Sequence, residues 1–269
     1  LETEHKLNVI LLGRKAWGAK ALEYLLEMGH SVTAAVGPQT FKDLDHEEGS
    51  ILASAQEHGI KVLTVNELYG DIYNGEFQDT DLVISYLFWQ KVREPLLTLP
   101  KMASINFHPA PLPDYKGLGG YNQAILDGRS IYGVTAHMMS KKIDDGDVIK
   151  KVEFHMDPEK ETALSLERKS QVIMFGLFKE IIGQISAGRA LETEKQQHAY
   201  GRYINREMFE KMKYIEKDDD TEVINRKIRA FWYPPYEGAK ITIGNEDYTL
   251  VNKELLKELG KMMHYKPKD

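Results

Sequence analysis

Cysteine is absent from the 269 residues. That excludes disulfides, thiolate metal sites and every mechanism built on a cysteine nucleophile. It agrees with a cytoplasmic protein without requiring one. No apolar run is long enough to span a bilayer, and no basic segment leading an apolar one stands at the start, so neither a membrane span nor a secretory leader is expected. An excess of positive charge is also missing. Lys and Arg number 35 against 41 Asp and Glu, for a formal net charge of -6 and a pI near 5.9, so a broad nucleic-acid-binding face is not expected. Internal repeats and low-complexity tracts are lacking too. The residues present are 42% hydrophobic and 28% charged, the mixture of a soluble globular chain with a sizeable core. The length fits one large domain, or one domain with a small appendage. The first residues, Leu1 to His5, include no methionine and read as a trimmed end.

Apolar runs at Leu7 to Leu12 and Val32 to Val36 predict strands. Between them Ala19 to Met28 predicts a helix, with Ala21, Leu22, Leu25 and Leu26 on one face. Ser50 reads as the N-cap of a helix over Ile51 to His58, closed by Gly59. Short strands follow at Lys61 to Val65, Asp81 to Leu87 and Ser104 to Phe107. This alternation implies an α/β fold, Rossmann-like, with a mostly parallel sheet covered by helices on both faces. From Gly133 the pattern changes: Val134 to Met139 and Asp147 to His155 predict strands joined by a tight Asp-Asp-Gly turn, paired antiparallel at a sheet edge. A long helix is expected over Ala163 to Ala187. Beyond Glu192 the chain is polar and irregular up to a helix from about Thr221 to Phe231, and Ala239 to Val251 reads as a β-hairpin turning at Gly244-Asn245.

The loop Gly13-Arg14-Lys15-Ala16-Trp17-Gly18 stands where a dinucleotide fold carries its phosphate loop. A full fingerprint needs a third glycine and an acidic residue at the end of the second strand, which here ends Ala35-Val36-Gly37. A nicotinamide enzyme is therefore not expected. The loop reads as a strand-to-helix turn, with Arg14 a candidate contact for an anionic substrate group.

The chemistry concentrates in Ser104-Ile-Asn-Phe-His-Pro-Ala-Pro-Leu-Pro-Asp-Tyr-Lys-Gly117. Asn106 and His108 are two apart on a strand, so their side chains share a face. They lie at the carboxyl end of a strand, where open α/β sheets place their ligand crevice. The three prolines that follow stiffen the exit loop. An amide can hold a developing oxyanion while an imidazole handles a proton. The turn Ile143-Asp-Asp-Gly-Asp147 offers three carboxylates to orient that imidazole, or serves only as turn chemistry. His137 reads as a plain strand histidine. A metal cluster of His108, His137 and these aspartates finds no support in local spacing.

Taken in order, Asn106-Phe-His-Pro109, Leu112-Pro-Asp-Tyr-Lys-Gly117, Gly133-Val-Thr-Ala-His137 and Ile143-Asp-Asp-Gly-Asp-Val-Ile149 resemble the formyltransferases that use 10-formyltetrahydrofolate. The likeness extends over roughly residues 7 to 185, and Ser50 to Val62 is similar to the family's helix-and-strand segment. It implies Asn106, His108 and Asp144 as the catalytic three, Asp144 being chosen over Asp145 by the family's apolar–Asp–x–Gly–Asp pattern. It also implies a pterin held by Phe88, Trp89, Gln90, Lys91 and Val92 with Ile143 and Asp144, largely through backbone groups. Formyl-folate would be the co-substrate, and no metal is implied.

Within the family, Pro109-Ala-Pro-Leu-Pro-Asp-Tyr-Lys-Gly-Leu-Gly-Gly-Tyr-Asn122 looks most like the nucleotide-sugar N-formyltransferases. Tyr121, Asn122, Lys116 and Arg14 become candidate acceptor contacts, although Lys116 stands where relatives often have arginine. The tRNA-directed members carry a basic loop after the second strand. Here Asp43 to Glu48 is acidic, which repels a phosphate backbone. Those members also carry a basic C-terminal barrel, where this sequence has the short unit after Glu192. The resemblance thus implies a small-molecule nucleotide-sugar acceptor and no nucleic-acid partner. Glycinamide ribonucleotide or methionyl-tRNA as acceptor, or a non-catalytic folate-binding role, are the alternatives. Residues 7–192 are expected to form the catalytic domain and 193–269 a small C-terminal subdomain. Arg229 to Ala239 also resembles the family, and its aromatics (Phe231, Trp232, Tyr233, Tyr236) suggest surface buried in a homodimer.

Overall fold

A computed structural model describes residues 5–38, 50–197 and 201–264. The acidic stretch Asp43 to Glu48 lies outside the described residues. The first half runs β1 (Asn8–Gly13), α1 (Lys15–Glu27), β2 (Ser31–Val36), α2 (Ile51–Glu57), β3 (Lys61–Leu63), α3 (Val65–Tyr73), β4 (Leu82–Tyr86) and β5 (Ala103–His108). Then come β6 (Lys116–Gly117), α4 (Gly120–Leu126), β7 (Ile131–Met138), β8 (Val148–His155) and α5 (Ala163–Ser186). The remainder is β9 (Tyr203–Ile204), α6 (Arg206–Met212), α7 (Thr221–Ala230), β10 (Lys240–Ile243), β11 (Glu246–Thr249) and α8 (Lys253–His264).

Seven strands form one sheet in the order β3-β2-β1-β4-β5-β7-β8. Pairings from β3 through β5 are parallel, and β7 joins β5 antiparallel. The α/β, mostly parallel architecture expected from the alternation of elements is the one observed. Strand order reverses beside β1, and the carboxyl ends of β1, β4 and β5 there form the kind of crevice in which such sheets bind ligands.

Strand alternation sorts the buried side chains to two faces. On one face Ile10, Leu12, Ala34, Val36 and Val83 pack with Leu68 and Ile72 of α3. On the other, Tyr86 and Phe107 meet Phe178 of α5 at ring separations of 5.6 and 5.1 Å. Helix α3 was not expected, since Lys61 to Val65 reads as strand. Its start is set by a capping box, in which Thr64 Oγ1 accepts from the Glu67 amide while the Glu67 carboxylate accepts from the Thr64 amide.

One further expectation needs correction. The connection from β7 to β8 is not a tight Asp-Asp-Gly turn but runs from Met139 to Asp147. Ser50 is the N-cap residue of α2, but its side chain makes no cap hydrogen bond.

By its internal packing the chain forms two units. The first is Leu1–Pro113, Gly133–Val152 and Gln171–Tyr200, and the second is Asp114–Tyr132, Glu153–Ser170 and Gly201–Asp269. The second unit has its own core of Ile228, Trp232, Ala239 and Leu255, and holds the expected hairpin β10–β11. Phe231 and Trp232 are buried within the chain itself, Phe231 against Phe209 at 5.6 Å. Burying these rings therefore does not require a partner. Tyr236 remains exposed.

Candidate active site

The register of three adjacent strands builds the site. Ser85 on β4 pairs with Asn106 on β5, and Asn106 pairs with His137 on β7. Polar side chains from three strands thus stand in one row on one face of the sheet. Ser85 Oγ donates to Asn106 Oδ1 at 2.7 Å, and Asn106 Nδ2 lies 2.9 Å from His137 Nε2. The tautomer follows from the other ring nitrogen. His137 Nδ1 is 2.8 Å from the Met138 carbonyl, which can only accept, so Nδ1 carries the proton and Nε2 accepts from the Asn106 amide. Asn106 is gripped at both ends of its carboxamide, and a flip would set its oxygen against the unprotonated His137 Nε2.

One N–H of that amide is engaged by His137. The other is directed toward Asp144 Oδ1 at 3.5 Å, the outer limit of a hydrogen bond. His108, on the same face two residues along, places Nδ1 3.5 Å from the same oxygen. His137 Nε2 is 3.7 Å from it, and the two imidazoles are 6.4 Å apart at 80°. His108, His137 and Asp144 are all buried. A carboxylate beside a buried imidazole favours the protonated ring and fixes the tautomer with Nδ1–H toward the carboxylate. The lone pair then sits on Nε2. Among the described residues no three His, Cys, Asp or Glu side chains are arranged to hold a metal ion.

The sequence reading missed His137, which is no plain strand histidine but the acceptor for the Asn106 amide. A signal was available. Thr135 and His137 are polar at a spacing of two, within a strand otherwise Tyr132, Val134 and Ala136, and both are buried. Thr135 secures the exit loop: its hydroxyl donates to the Ala110 carbonyl at 2.8 Å and accepts from the Leu112 amide at 3.0 Å.

The proposed pterin loop follows β4. Phe88 and Val92 pack against the core that contains Val83 and Leu96, so their side chains are structural. Trp89 is part-exposed and lies against Phe88 at 4.7 Å, while Gln90 and Lys91 are exposed. Ile143, beside Asp144, is also exposed. At the end of β1, Arg14 is the N-cap of α1 without a side-chain cap bond. Its Nε is buried and has no hydrogen-bond partner among the described residues. Gly13 serves packing here, since a Cβ on it would press on Ile51 and the Tyr86 carbonyl at 3.1 and 3.3 Å.

The remaining candidates belong to the second unit. Asn122 is buried and donates to the Ala230 carbonyl at 2.6 Å, tying α4 to α7. Tyr121 lies 5.8 Å from the ring of Tyr132, and Lys116 is buried on the short strand that pairs with β9.

An amide that can donate, a buried imidazole and a neighbouring carboxylate, at the carboxyl edge of a Rossmann-like sheet, are together capable of acyl transfer through a tetrahedral intermediate. Comparison with known proteins narrows that class. Residues 72–174 match the family model described as formyl transferase. The chain is 27% identical over 264 residues to a methionyl-tRNA formyltransferase of Geobacter metallireducens, spanning 95% of this chain and 82% of the relative. Among solved structures it is similar to the N-formyltransferase from Helicobacter canadensis, solved with folinic acid and dTDP-3-aminofucose. That match has a TM-score of 0.72 and 26% identity, covering 89% of this chain and 85% of the other. A 4-N formyltransferase from Francisella tularensis shares the fold at a TM-score of 0.73 and 18% identity, covering 91% and 97%. Residues 72–174 thus match a formyl transferase domain, and the chain is similar over most of its length to formyltransferase enzymes.

Proposed function

We propose that the protein transfers a formyl group from 10-formyltetrahydrofolate to the primary amine of a nucleotide-linked amino sugar. The observation that carries the chemistry is the meeting of Asn106, His108 and Asp144 around a single carboxylate oxygen, with the Asn106 amide locked between Ser85 and His137. The acceptor nitrogen attacks the formyl carbon, and the former carbonyl oxygen becomes an oxyanion. Asn106 Nδ2 donates to that oxyanion, an effect worth about 3 kcal/mol for comparable donors. His108 takes the proton from the attacking amine and returns it to the folate nitrogen as the C–N bond to the donor breaks. Asp144 stabilises the intervening imidazolium. The products are the N-formylated amine and tetrahydrofolate, with no covalent enzyme intermediate.

The backbone around Phe88 to Val92 and the exposed Ile143 are assigned to the pterin. Leu87, with φ of +60°, turns the chain out of β4 into that loop. Arg14, with its unpartnered Nε, is assigned to an anionic group of the acceptor. The catalytic work is assigned to residues 7–192, and the protein to the cytoplasm. No helix among the described residues is long and apolar enough to cross a membrane. A homodimer is part of this reading, supported by the exposed Tyr236, Ile243 and Tyr248, and a monomeric mass in light scattering would contradict it.

The sugar acceptor is supported by the Helicobacter canadensis neighbour and by the acidic sequence from Asp43 to Glu48. The Geobacter metallireducens relative favours a second reading, methionyl-tRNA as acceptor. The two separate in one experiment, with 10-formyltetrahydrofolate supplied alongside dTDP- and UDP-linked amino sugars or methionyl-tRNA. Mass spectrometry is expected to find one formyl group added to an amino sugar and none to the aminoacyl-tRNA. Robust formylation of the tRNA at physiological salt would overturn the sugar reading.

A further inference from the structure

The segment that carries Asp144 has little regular pairing of its own. It connects β7 to β8, and a backbone bond to β7 runs from the Met138 amide to the Asp147 carbonyl at 2.8 Å. Asp144 itself has φ of +52°, in the left-handed region that strains any residue with a Cβ. Two residues on, Gly146 is pressed so closely on the Met138 carbonyl that a Cβ there would run into it. Strained backbone at a working position relaxes unless its surroundings over-determine it.

Gln196 supplies the over-determination. Its Nε2 donates to the carbonyls of Asp144, at 3.0 Å, and of Gly146, at 2.7 Å. Both acceptors are carbonyls, so the amide can take only this orientation. The side chain is 6% exposed. It is brought there by a bridge in which Val148 and Glu194 exchange backbone hydrogen bonds, each 2.8 Å long. Its Oε1 is buried and has no hydrogen-bond partner among the described residues. An apolar side chain of the same size would avoid that desolvation penalty, so burial alone does not account for an amide here. The two donated bonds do.

We propose that Gln196 is a positioning residue, a clasp that closes on the 144–146 turn and so sets the Asp144 carboxylate against His108. The proposal rests on the reading of Asp144 as the carboxylate that orients His108 in formyl transfer. Gln196 touches no reacting atom and acts through Asp144. Opening the clasp lets the turn relax, moves the carboxylate off His108, and weakens the imidazolium that it stabilises. Asp144 and His137 are titratable side chains that face His108 across the site.

The test uses Gln196→Met, which keeps the length and removes both donors. Titration of His108 is followed by NMR of its imidazole in the wild type, Gln196→Met, Asp144→Asn and the double variant, with His137 told apart by His137→Gln. In Gln196→Met the His108 titration should move to lower pH, in the direction of Asp144→Asn but by less. Adding Gln196→Met to Asp144→Asn should move it no further. In the formyl-transfer assay Gln196→Met should lower kcat about tenfold, the scale of coupling within one hydrogen-bond network. The double variant should be no slower than Asp144→Asn. A folded Gln196→Met with wild-type His108 titration and kcat would overturn the clasp, as would a double variant that loses the full product of the two effects. If Gln196→Met does not fold, the wild-type side-chain amide protons of Gln196 decide: slow exchange with solvent supports the clasp, and exchange as fast as an exposed glutamine contradicts it. The NMR arms need no acceptor. A wild type that formylates nothing therefore sinks the functional reading separately from the clasp.

Discussion

Strand β5 and the turn from Ile143 to Asp147 each contribute to the same few ångströms of chemistry, but they are held by different means. Asn106 and His108 ride on a strand paired on both sides, so their positions follow from ladder register. Asp144 stands at a left-handed residue in an irregular connection, held by side-chain donors from a distant part of the chain. A ladder resists displacement because many bonds must break together. The turn takes two of its bonds from one side chain, so one substitution removes both. The strand side is therefore expected to fail through loss of function groups, and the turn side through loss of placement.

The sharpest break on the strand side is His108→Ala. It removes proton transfer and should lower kcat by about a hundredfold to ten-thousandfold in steady-state formyl-transfer assays. Asn106→Ala should follow, with a loss of about a hundredfold to a thousandfold in kcat and little change in affinity for either substrate, because its bond strengthens only in the transition state. The double variant should lose less than the product of the two, since both groups act on one transition state.

Substitutions beside Asn106 sharpen the comparison at smaller scale. His137→Leu leaves the Asn106 amide without its acceptor and should cost about tenfold in kcat, within the range for an unsatisfied buried donor. Ser85→Ala removes the donor to Asn106 Oδ1 and should cost about fivefold, corresponding to one ordinary hydrogen bond. If either variant lost as much as His108→Ala, Asn106 would not be the group they act through.

Much of the strand side was legible in the sequence, because it depends on local period. Apolar runs gave the parallel strands, and a spacing of two put Asn106 and His108 on one face. The hairpin at Gly244-Asn245 was readable from turn chemistry. What was not legible depends on register between distant strands. The role of His137 appears only when β7 is laid antiparallel on β5, which sets it opposite Asn106. Gln196 lies in a polar stretch with no period, and only the bridge between Val148 and Glu194 brings it to the turn. The β7–β8 connection was misread as a tight hairpin because Asp-Asp-Gly satisfies turn chemistry at several lengths. Helix α3 fell between two expected strands and was not read as an element, though Thr64 and Glu67 carried the capping signal.

The central claim is that Asp144, and not its neighbour, orients His108 for formyl transfer. Its most direct test is the pH dependence of kcat/KM for Asp144→Asn beside Asp145→Asn, each with 10-formyltetrahydrofolate and the best amino-sugar acceptor. Asp144→Asn keeps the shape and removes the charge 3.5 Å from His108. The imidazolium loses its partner, so the limb of the profile that belongs to the histidine should move to lower pH while the maximal rate falls. Asp145→Asn should leave the profile nearly unchanged. Loss of activity in Asp145→Asn with a wild-type profile in Asp144→Asn would contradict the account.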